Sequence, residues 1–161
     1  MRLTIYEAIC NRISTQVPEI KHIDLWNNNV AVLSGGAVWP RPAVFVEFET
    51  IEWRQQQNRV RMADVAVRLH IVTDAISCNG HNDKRQHAAL AFLRLINKVN
   101  AAMQGLNGNN FASFMLTTSA TNHDHAELVE SVERYITRAQ DTTSMLSTLH
   151  QASIDKLTLE G

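Results

Sequence analysis

Seven histidines occur in the 161 residues, and the closest pair is His123 and His125, with Asp124 between them. Histidine is a common ligand of zinc and other transition metals. Two histidines at i and i+2 point the same way only on extended backbone, and further ligands must then come from elsewhere. His81 and His87 are six positions apart, a spacing that does not put both on one helical face. We therefore predict a solvated polar turn, with a metal-dependent hydrolase as the alternative.

Paired carboxylates are a second kind of chemistry to consider, and Glu47 and Glu49 share one face of a predicted strand. Such side chains more often belong to a hydrated or subunit-contact strand face. The sequence contains no GxSxG, HExxH, Walker-type or GxGxxG motif. Cys10 and Cys78 have no CxxC partner, which favours two reduced structural thiols. We predict no catalytic residue, no cofactor and no enzymatic activity.

The polar stretch at residues 51–61 combines three arginines and a tryptophan with several glutamines. Arginine is suited to pairing with carboxylates and phosphates, and the aromatic ring adds contact area. The stretch is either the solvated tip of a long hairpin or a contact surface. Its candidate interface or lumen residues are Trp53, Arg54, Arg59 and Arg61.

Trp39 is the remaining candidate, because it stands in an extended segment beside Pro40 and close to Pro42. Prolines cannot donate hydrogen bonds to a sheet, so this segment suits the entry to a strand. Tryptophan is enriched both in cores and among interface anchors. Trp39 is therefore either a plug at the sheet edge or an anchor for another subunit.

The composition limits the kind of molecule that these residues belong to. A hydrophobic content of 45% over 161 residues supports one core, so we expect one domain over residues 1–161. The net charge of −1 offers no overall attraction to nucleic acid or membrane. No apolar run approaches the ~20 residues that span a bilayer, and the N-terminus lacks a signal-peptide pattern. We expect a soluble, cytosolic protein.

Two amphipathic helices are predicted to support the candidate residues. Residues 4–17 carry apolar side chains at every fourth position, with Thr4 and Glu7 as a capping box and Pro18 as the stop. A longer helix is predicted over residues 83–105, from a second capping-box pair to a capping glycine.

Alternating apolar residues predict β-strands, most clearly at residues 62–73. Residues 127–140 match both a helix and a strand, and their periodicity favours a helix. Together these patterns predict an α+β fold, in which an antiparallel or mixed sheet with a long hairpin packs against the N-terminal helix and the long central helix. Further strand patterns cover residues 20–26, 30–33, 43–49, 111–118 and 154–159.

Three stretches resemble small tail proteins of bacteriophages and prophages from Bacteroides-type hosts. They are residues 17–26, 42–48 and 69–74. The order of elements also resembles the tail terminator, or tail completion, family, in which a helix, a sheet with a long hairpin, a helix across the sheet and further strands form one domain. The resemblance covers about residues 1–141, leaves 142–161 as a tail or extra strand, and implies that 127–140 is a strand.

The resemblance implies a structural protein that forms a ring, typically of six subunits, on the end of the finished tail tube. Such a hexameric ring stops polymerisation of the tube and contributes to head–tail joining. The implied partners are other copies of the chain, the tail tube protein and a head–tail connector protein, with DNA only as passing cargo and no membrane. The implied location is the bacterial host cytoplasm during assembly and then the virion tail.

Two further classes of protein remain open at this point. A head–tail connector or neck protein would share the fold and the ring symmetry but bind the portal side. A monomeric binding module, such as an immunity protein, would need no ring. If the ring forms, we expect the loop that holds Arg54, Arg59 and Arg61 to line its lumen or touch the tube.

Overall fold

Two long antiparallel strands, β4 (Arg61–Asp74) and β6 (Leu128–Asp141), form the centre of the sheet. They pair along their whole 14-residue lengths, from Arg61 opposite Asp141 to Asp74 opposite Leu128. The computed structural model describes residues 1–27, 29, 39–76, 80–122 and 127–145.

The other described strands are β1 (His22–Leu25), β2 (Ala43–Phe48), β3 (Arg54–Gln55) and β5 (Met115–Asn122). They extend the central pair on both sides into a mixed sheet, which has six strands among the described residues and the order β1-β2-β4-β6-β5. The short β3 pairs with the start of β4 and forms the stem of the long hairpin. Of these strands, β1 and β2 are parallel, and the other neighbours are antiparallel. The predicted α+β fold with a long hairpin is therefore confirmed.

The helices α1 (Arg2–Gln16) and α3 (Ala91–Met103) cover one face of the sheet, and the four-residue α2 (Gln86–Ala89) precedes α3. Alternation along β4 directs apolar side chains towards the helices, as predicted, and these pack with the stripes of α1 and α3 in one core. We call this side the helix-covered face. Its main side chains are Ile5, Ile9, Ile13, Val65, Val67, Leu69, Leu95, Val99 and Met103.

The helical periodicity of residues 127–140 gave a wrong prediction, because this segment is strand β6. The strand that the phage-tail resemblance implies is the element found there. Ser131, Glu133 and Thr137 lie buried among the residues that β6 directs at the helix-covered face. Polar side chains at inward positions hide the alternation that normally identifies a half-buried strand.

The two predicted capping boxes do not form. Helix α1 begins at Arg2, and Met1 occupies the cap position without a side-chain hydrogen bond, so Thr4 lies inside the helix. Asp83 instead accepts a hydrogen bond from the backbone N–H of Arg85 at 2.7 Å, three residues before α2 begins. Asp and Asn side chains often make such local turns in place of caps.

The predicted long central helix breaks once, at Leu90, where φ is −93° and ψ is 7°. It therefore consists of the short α2 followed by α3. Gly105, which was predicted to cap its end, has a φ of +77° just beyond α3. This left-handed position favours glycine and confirms the predicted stop.

The strand predicted at residues 111–118 is displaced to β5 (Met115–Asn122). Phe111 and Phe114 are buried in the core instead, with their ring centroids 5.7 Å apart. Both phenylalanines fill space beside the end of α3 before the chain enters the sheet. The strands predicted at residues 30–33 and 154–159, and Cys78, lie outside the described residues.

Candidate assembly surface

The sheet side opposite the helices carries a band of charged residues that runs across three strands. Alternation along β2, β4 and β6 directs Glu47, Arg68, His70 and Arg134 to this side, which we call the second face. Glu47 lies directly opposite Arg68, and Arg68 lies directly opposite Arg134. Two like charges in register would repel each other, so a shared counter-charge is needed.

Glu49 supplies that counter-charge and forms an arginine–glutamate clamp with Arg68 and Arg134. Its Oε1 accepts a hydrogen bond from Arg134 Nε at 2.8 Å, and its Oε2 accepts one from Arg134 Nη2 at 3.0 Å. Arg68 Nε forms an ion pair with the same Oε1 at 2.8 Å. The fork of Arg134 is thus bidentate, which is the stronger geometry for this pair. The hydrogen bonds from Arg134, followed by the charges of both arginines, hold the pKa of the Glu49 carboxyl below its usual value.

His70 forms a second network beside the clamp, buried between two carboxylates. Its Nδ1 lies 2.7 Å from Glu130 Oε1 and its Nε2 lies 3.1 Å from Glu47 Oε2. Trp26 stacks on the imidazole, with a centroid distance of 3.7 Å and an interplanar angle of 3°. We refer to these four residues as the His70 network.

The geometry of the His70 network is structural in character. Both ring nitrogens face carboxylates and one ring face lies under Trp26, so the imidazole has no free nitrogen to offer a substrate. Glu47 and Glu49 are likewise engaged with cationic partners and do not form an acid–base pair across a cleft. Within the described ranges, no group of three or more His, Cys, Asp or Glu side chains could hold a metal ion.

The histidines that the sequence suggested as metal ligands do not come together in the described part of the chain. His81 and His87 are both exposed near the start of α2. His123 and His125, with Asp124 between them, lie outside the described residues.

Trp39 lies at the end of the second face that is farthest from the hairpin. It is buried in a small hydrophobic cluster with Ala43, Phe45, Val72 and Leu128. Its ring meets Phe45 edge-on at a centroid distance of 4.9 Å. Of the two alternatives for Trp39, this burial agrees with the plug at the sheet edge.

The hairpin brings the other four sequence candidates together but gives them different surroundings. Arg61 donates a hydrogen bond from Nη2 to Asp141 Oδ2 at 2.5 Å and lies 5.5 Å from the centre of the Trp53 ring. Trp53 packs against the main core. Arg54 and Arg59 are exposed. Arg61 and Trp53 thus hold the base of the hairpin, and Arg54 and Arg59 face solvent.

Asp141 is fixed from two directions where β6 ends. The backbone N–H of Thr143 donates a hydrogen bond to its Oδ1 at 3.1 Å, and the Thr143 hydroxyl donates another at 2.8 Å. Arg61 contacts the other oxygen. These hydrogen bonds, that of the Thr143 backbone first, hold the pKa of Asp141 below its usual value.

A cleft of about 430 Å³ lies between the hairpin and the second face. Three arginines and three carboxylates contribute to its lining, so its charges are balanced. A surface of this kind suits a polar protein contact better than a polyanion, which would need an excess of positive charge. The charged residues are Glu49, Glu52, Arg54, Asp64, Arg134 and Arg138.

Strand β5 stands at one edge of the sheet and is almost wholly exposed. Residues 115–121 are all exposed, including Met115 at 55% and Leu116 at 37%. The strand contains no charged residue and no proline, which are common means of blocking an edge. A β-bulge between Leu116 and Thr118 interrupts its pairing with β6 once.

Comparison of the chain with protein-family models and with curated proteins found no match. Among the described residues, no helix has both the length and the apolar character needed to cross a membrane.

The sequence pointed to some of these features and missed others. It placed Glu47 and Glu49 on one face of the strand predicted at residues 43–49, and the alternation at residues 62–73 implies that Arg68 and His70 share one side of β4. It missed the His70 network, because the pairing register of the strands and the position of Trp26 were not predicted. The detectable signal was that acidic positions on one strand complement basic positions on the next.

Proposed function

We propose that this protein is a structural subunit of a phage or prophage tail. In this proposal it forms a ring, of six subunits, that caps the tail tube, ends tube polymerisation and contributes to head–tail joining. It acts in the cytoplasm of the bacterial host and stays in the virion tail. Its partners are other copies of the chain, the tail tube protein and a head–tail connector protein.

The observation that supports the proposal most is the strand at Leu128–Asp141. The resemblance to tail terminator proteins required a strand here, whereas the periodicity of the segment favoured a helix. The resemblance thus made the correct prediction where the two disagreed. The order of helix, long hairpin, helix and further strands agrees with it as well.

The charge pattern also supports a role in protein contacts with DNA only as passing cargo. The net charge is −1, and the charges that line the cleft on the second face are balanced. A surface that neutralises few phosphates holds DNA weakly and lets it pass. Arg54 and Arg59 are the exposed arginines of the hairpin, and we assign them to the contact with the tube or the lumen.

Deletion of the gene from its phage or prophage tests this function. The proposal predicts over-long tubes without heads in electron micrographs, because nothing stops their polymerisation. The wild-type gene supplied in trans should restore tails of uniform length. Tubes of normal length joined to heads would contradict the proposal.

The same experiment separates a terminator from a head–tail connector. Loss of a connector would leave tails of normal length that fail to join heads. A double variant, Arg54→Ala with Arg59→Ala, should restore fewer joined particles than the wild type. Arg2→Ala, which removes an exposed arginine from α1, is the matched control and should complement fully.

A further inference from the structure

Among the described residues, β1 and β5 stand at the two edges of the sheet, and these edges suggest how the subunits of such a ring contact each other. We propose that β5 of one copy pairs antiparallel with β1 of the next copy, so that the sheets continue from subunit to subunit. This inference rests on the proposed ring and names the strands that close it. The partner at each edge is therefore a second copy of this chain.

The first half of the contact is the exposed edge of β5. Residues 118–122 pair regularly with β6 on one side, beyond the bulge. A strand at the edge of a sheet presents alternate backbone N–H and C=O groups that can pair with another strand. The absence of charge and proline from β5 leaves this edge suitable for such pairing.

The second half is β1, the strand at the other end of the sheet order. It has four residues and pairs with β2. Its length fits the regular part of β5, which spans residues 118–122. Leu25 is 48% exposed, and Met115 at the far side of the molecule is 55% exposed, so both edges also offer apolar contact area.

The strand directions favour this contact. Because β1 is parallel to β2, and each later neighbour in the order is antiparallel to the one before, β1 and β5 run in opposite directions. A copy placed beside β5 in the same orientation therefore offers its β1 as an antiparallel partner. A contact between two different edges is heterologous, and repetition of it generates a ring when the rotation closes.

The side chains are compatible with the contact as well. Asp24 and His22 lie on the second face of β1, with His22 Nε2 3.9 Å from Asp24 Oδ2. On the same face, β5 offers Thr118 and Ala120, which are small and uncharged. No like charges oppose each other in any register of the two strands. A pairing of β5 with β5 would instead give a two-fold dimer and would not use β1.

Site-specific disulfides test the contact directly. In a background with Cys10 and Cys78 changed to Ser, one variant carries Asp24→Cys, and a second carries Thr118→Cys or Ala120→Cys. All three positions are exposed and lie on the second face, so reduced variants should melt like the background protein. The matched control is Thr121→Cys, because its side chain points to the opposite face of the same strand.

The variants are co-expressed in the deletion strain, so that they assemble into tails, and are also mixed as concentrated pure proteins. After oxidation, we expect a dimer that contains one Asp24→Cys chain and one Thr118→Cys or Ala120→Cys chain. Two cysteines form a disulfide only when their Cα atoms lie about 4.4–6.8 Å apart, so one of the two β5 positions should dominate. The chain that carries both Asp24→Cys and the dominant β5 cysteine should give a ladder that ends at six subunits.

Two results would overturn the inference. A disulfide between two Ala120→Cys or two Thr118→Cys chains would indicate the two-fold dimer. Absence of every mixed disulfide, in tails and in solution, would mean that the ring closes through another surface. In that case over-long tubes in the deletion strain would still support the proposed function, whereas normal tubes would reject the function itself.

Discussion

His70 shows how a single residue can hold the second face together. Its imidazole joins Glu47 on β2 to Glu130 on β6 and supports the ring of Trp26 beyond β1. A buried polar group that loses a hydrogen-bond partner usually costs more stability than the hydrogen bond itself contributes. We therefore expect substitutions of His70 to lower the stability of the sheet strongly.

The substitution His70→Ala should lower the free energy of unfolding by about 2 kcal/mol, because Glu130 and Glu47 each lose a hydrogen-bond partner and Trp26 loses the ring on which it stacks. Urea denaturation measures this loss, and Trp26 fluorescence should change in the folded state because its stacking partner is gone. The control is His81→Ala, since His81 is exposed and should change stability by less than about 0.5 kcal/mol. Equal effects of the two substitutions would contradict a structural role for His70.

The arginine–glutamate clamp gives the protein a defined sensitivity to acid. Arg134 and Arg68 lower the pKa of Glu49 in the folded state below the ordinary value of 4.5. The contribution of the clamp to stability is therefore complete above that value and is lost as the pH falls through the lowered pKa.

Thermal unfolding of the wild type and of Glu49→Gln at a series of pH values measures this contribution. We expect the difference in stability between the two proteins to be constant from about pH 8 to 6 and to shrink below about pH 4.5. Asp141 titrates in both proteins, so it largely cancels in the comparison. A difference that persists unchanged to pH 3 would show that charge pairing is not what Glu49 contributes.

At the scale of elements, α3 and β6 are joined by a buried polar tether. Asn100 on α3 donates a hydrogen bond from Nδ2 to Glu133 Oε2 at 3.1 Å and accepts one from the Tyr135 hydroxyl. The hydroxyls of Ser119 and Ser131 also donate to Glu133, which is 1% exposed. Burial, with the nearby charge of Glu133, raises the pKa of Tyr135, so its hydroxyl remains a donor.

The substitution Asn100→Ala should cost about 2 kcal/mol of stability, because it leaves a buried carboxylate and a buried hydroxyl each short of a partner. The matched control is Asn97→Ala, the same change at an exposed position of the same helix. There the higher helix propensity of alanine should leave stability equal or slightly improved. Both effects are measured as shifts in the denaturation midpoint, and a loss at Asn97 as large as that at Asn100 would argue against the tether.

The elements that the sequence predicted well are those with one apolar side. Strand β4 directs Val65, Val67 and Leu69 to one side, and α1 repeats isoleucine at every fourth position, so period and burial agree on the helix-covered face. The periodicity of residues 127–140 failed to indicate strand β6, which the resemblance implied, because Glu133 and its polar neighbours occupy inward positions. The hydrogen-bond partners of these residues lie on α3 and β5. The sequence of the segment alone therefore could not show that its buried polar side chains form hydrogen bonds.

For the candidate site, the sequence predicted which residues share a strand face, but not which residues contact each other across strands. Residue types showed acids on β2 and a basic pair on β4, but the contribution of Arg134 depends on the register of β6. The arginines of the hairpin looked equivalent in sequence. Only the fold separates Arg61, which is bound to Asp141, from the exposed Arg54 and Arg59.

At the scale of the whole molecule, the two faces and the two edges of the sheet differ in what covers them. Helices cover one side of the sheet, ion pairs and a small aromatic cluster order the other, and β5 and β1 stand at the two ends of the strand order. In the proposed function, the edges of the sheet and the hairpin contact other subunits of a tail.

Immunogold electron microscopy of purified phage particles, with antibody raised against this protein, tests the proposed place of the protein in the tail. A ring that caps the tube predicts label at a single position on each tail, at the end that joins the head. Label along the whole tube, or particles that contain none of the protein, would contradict it.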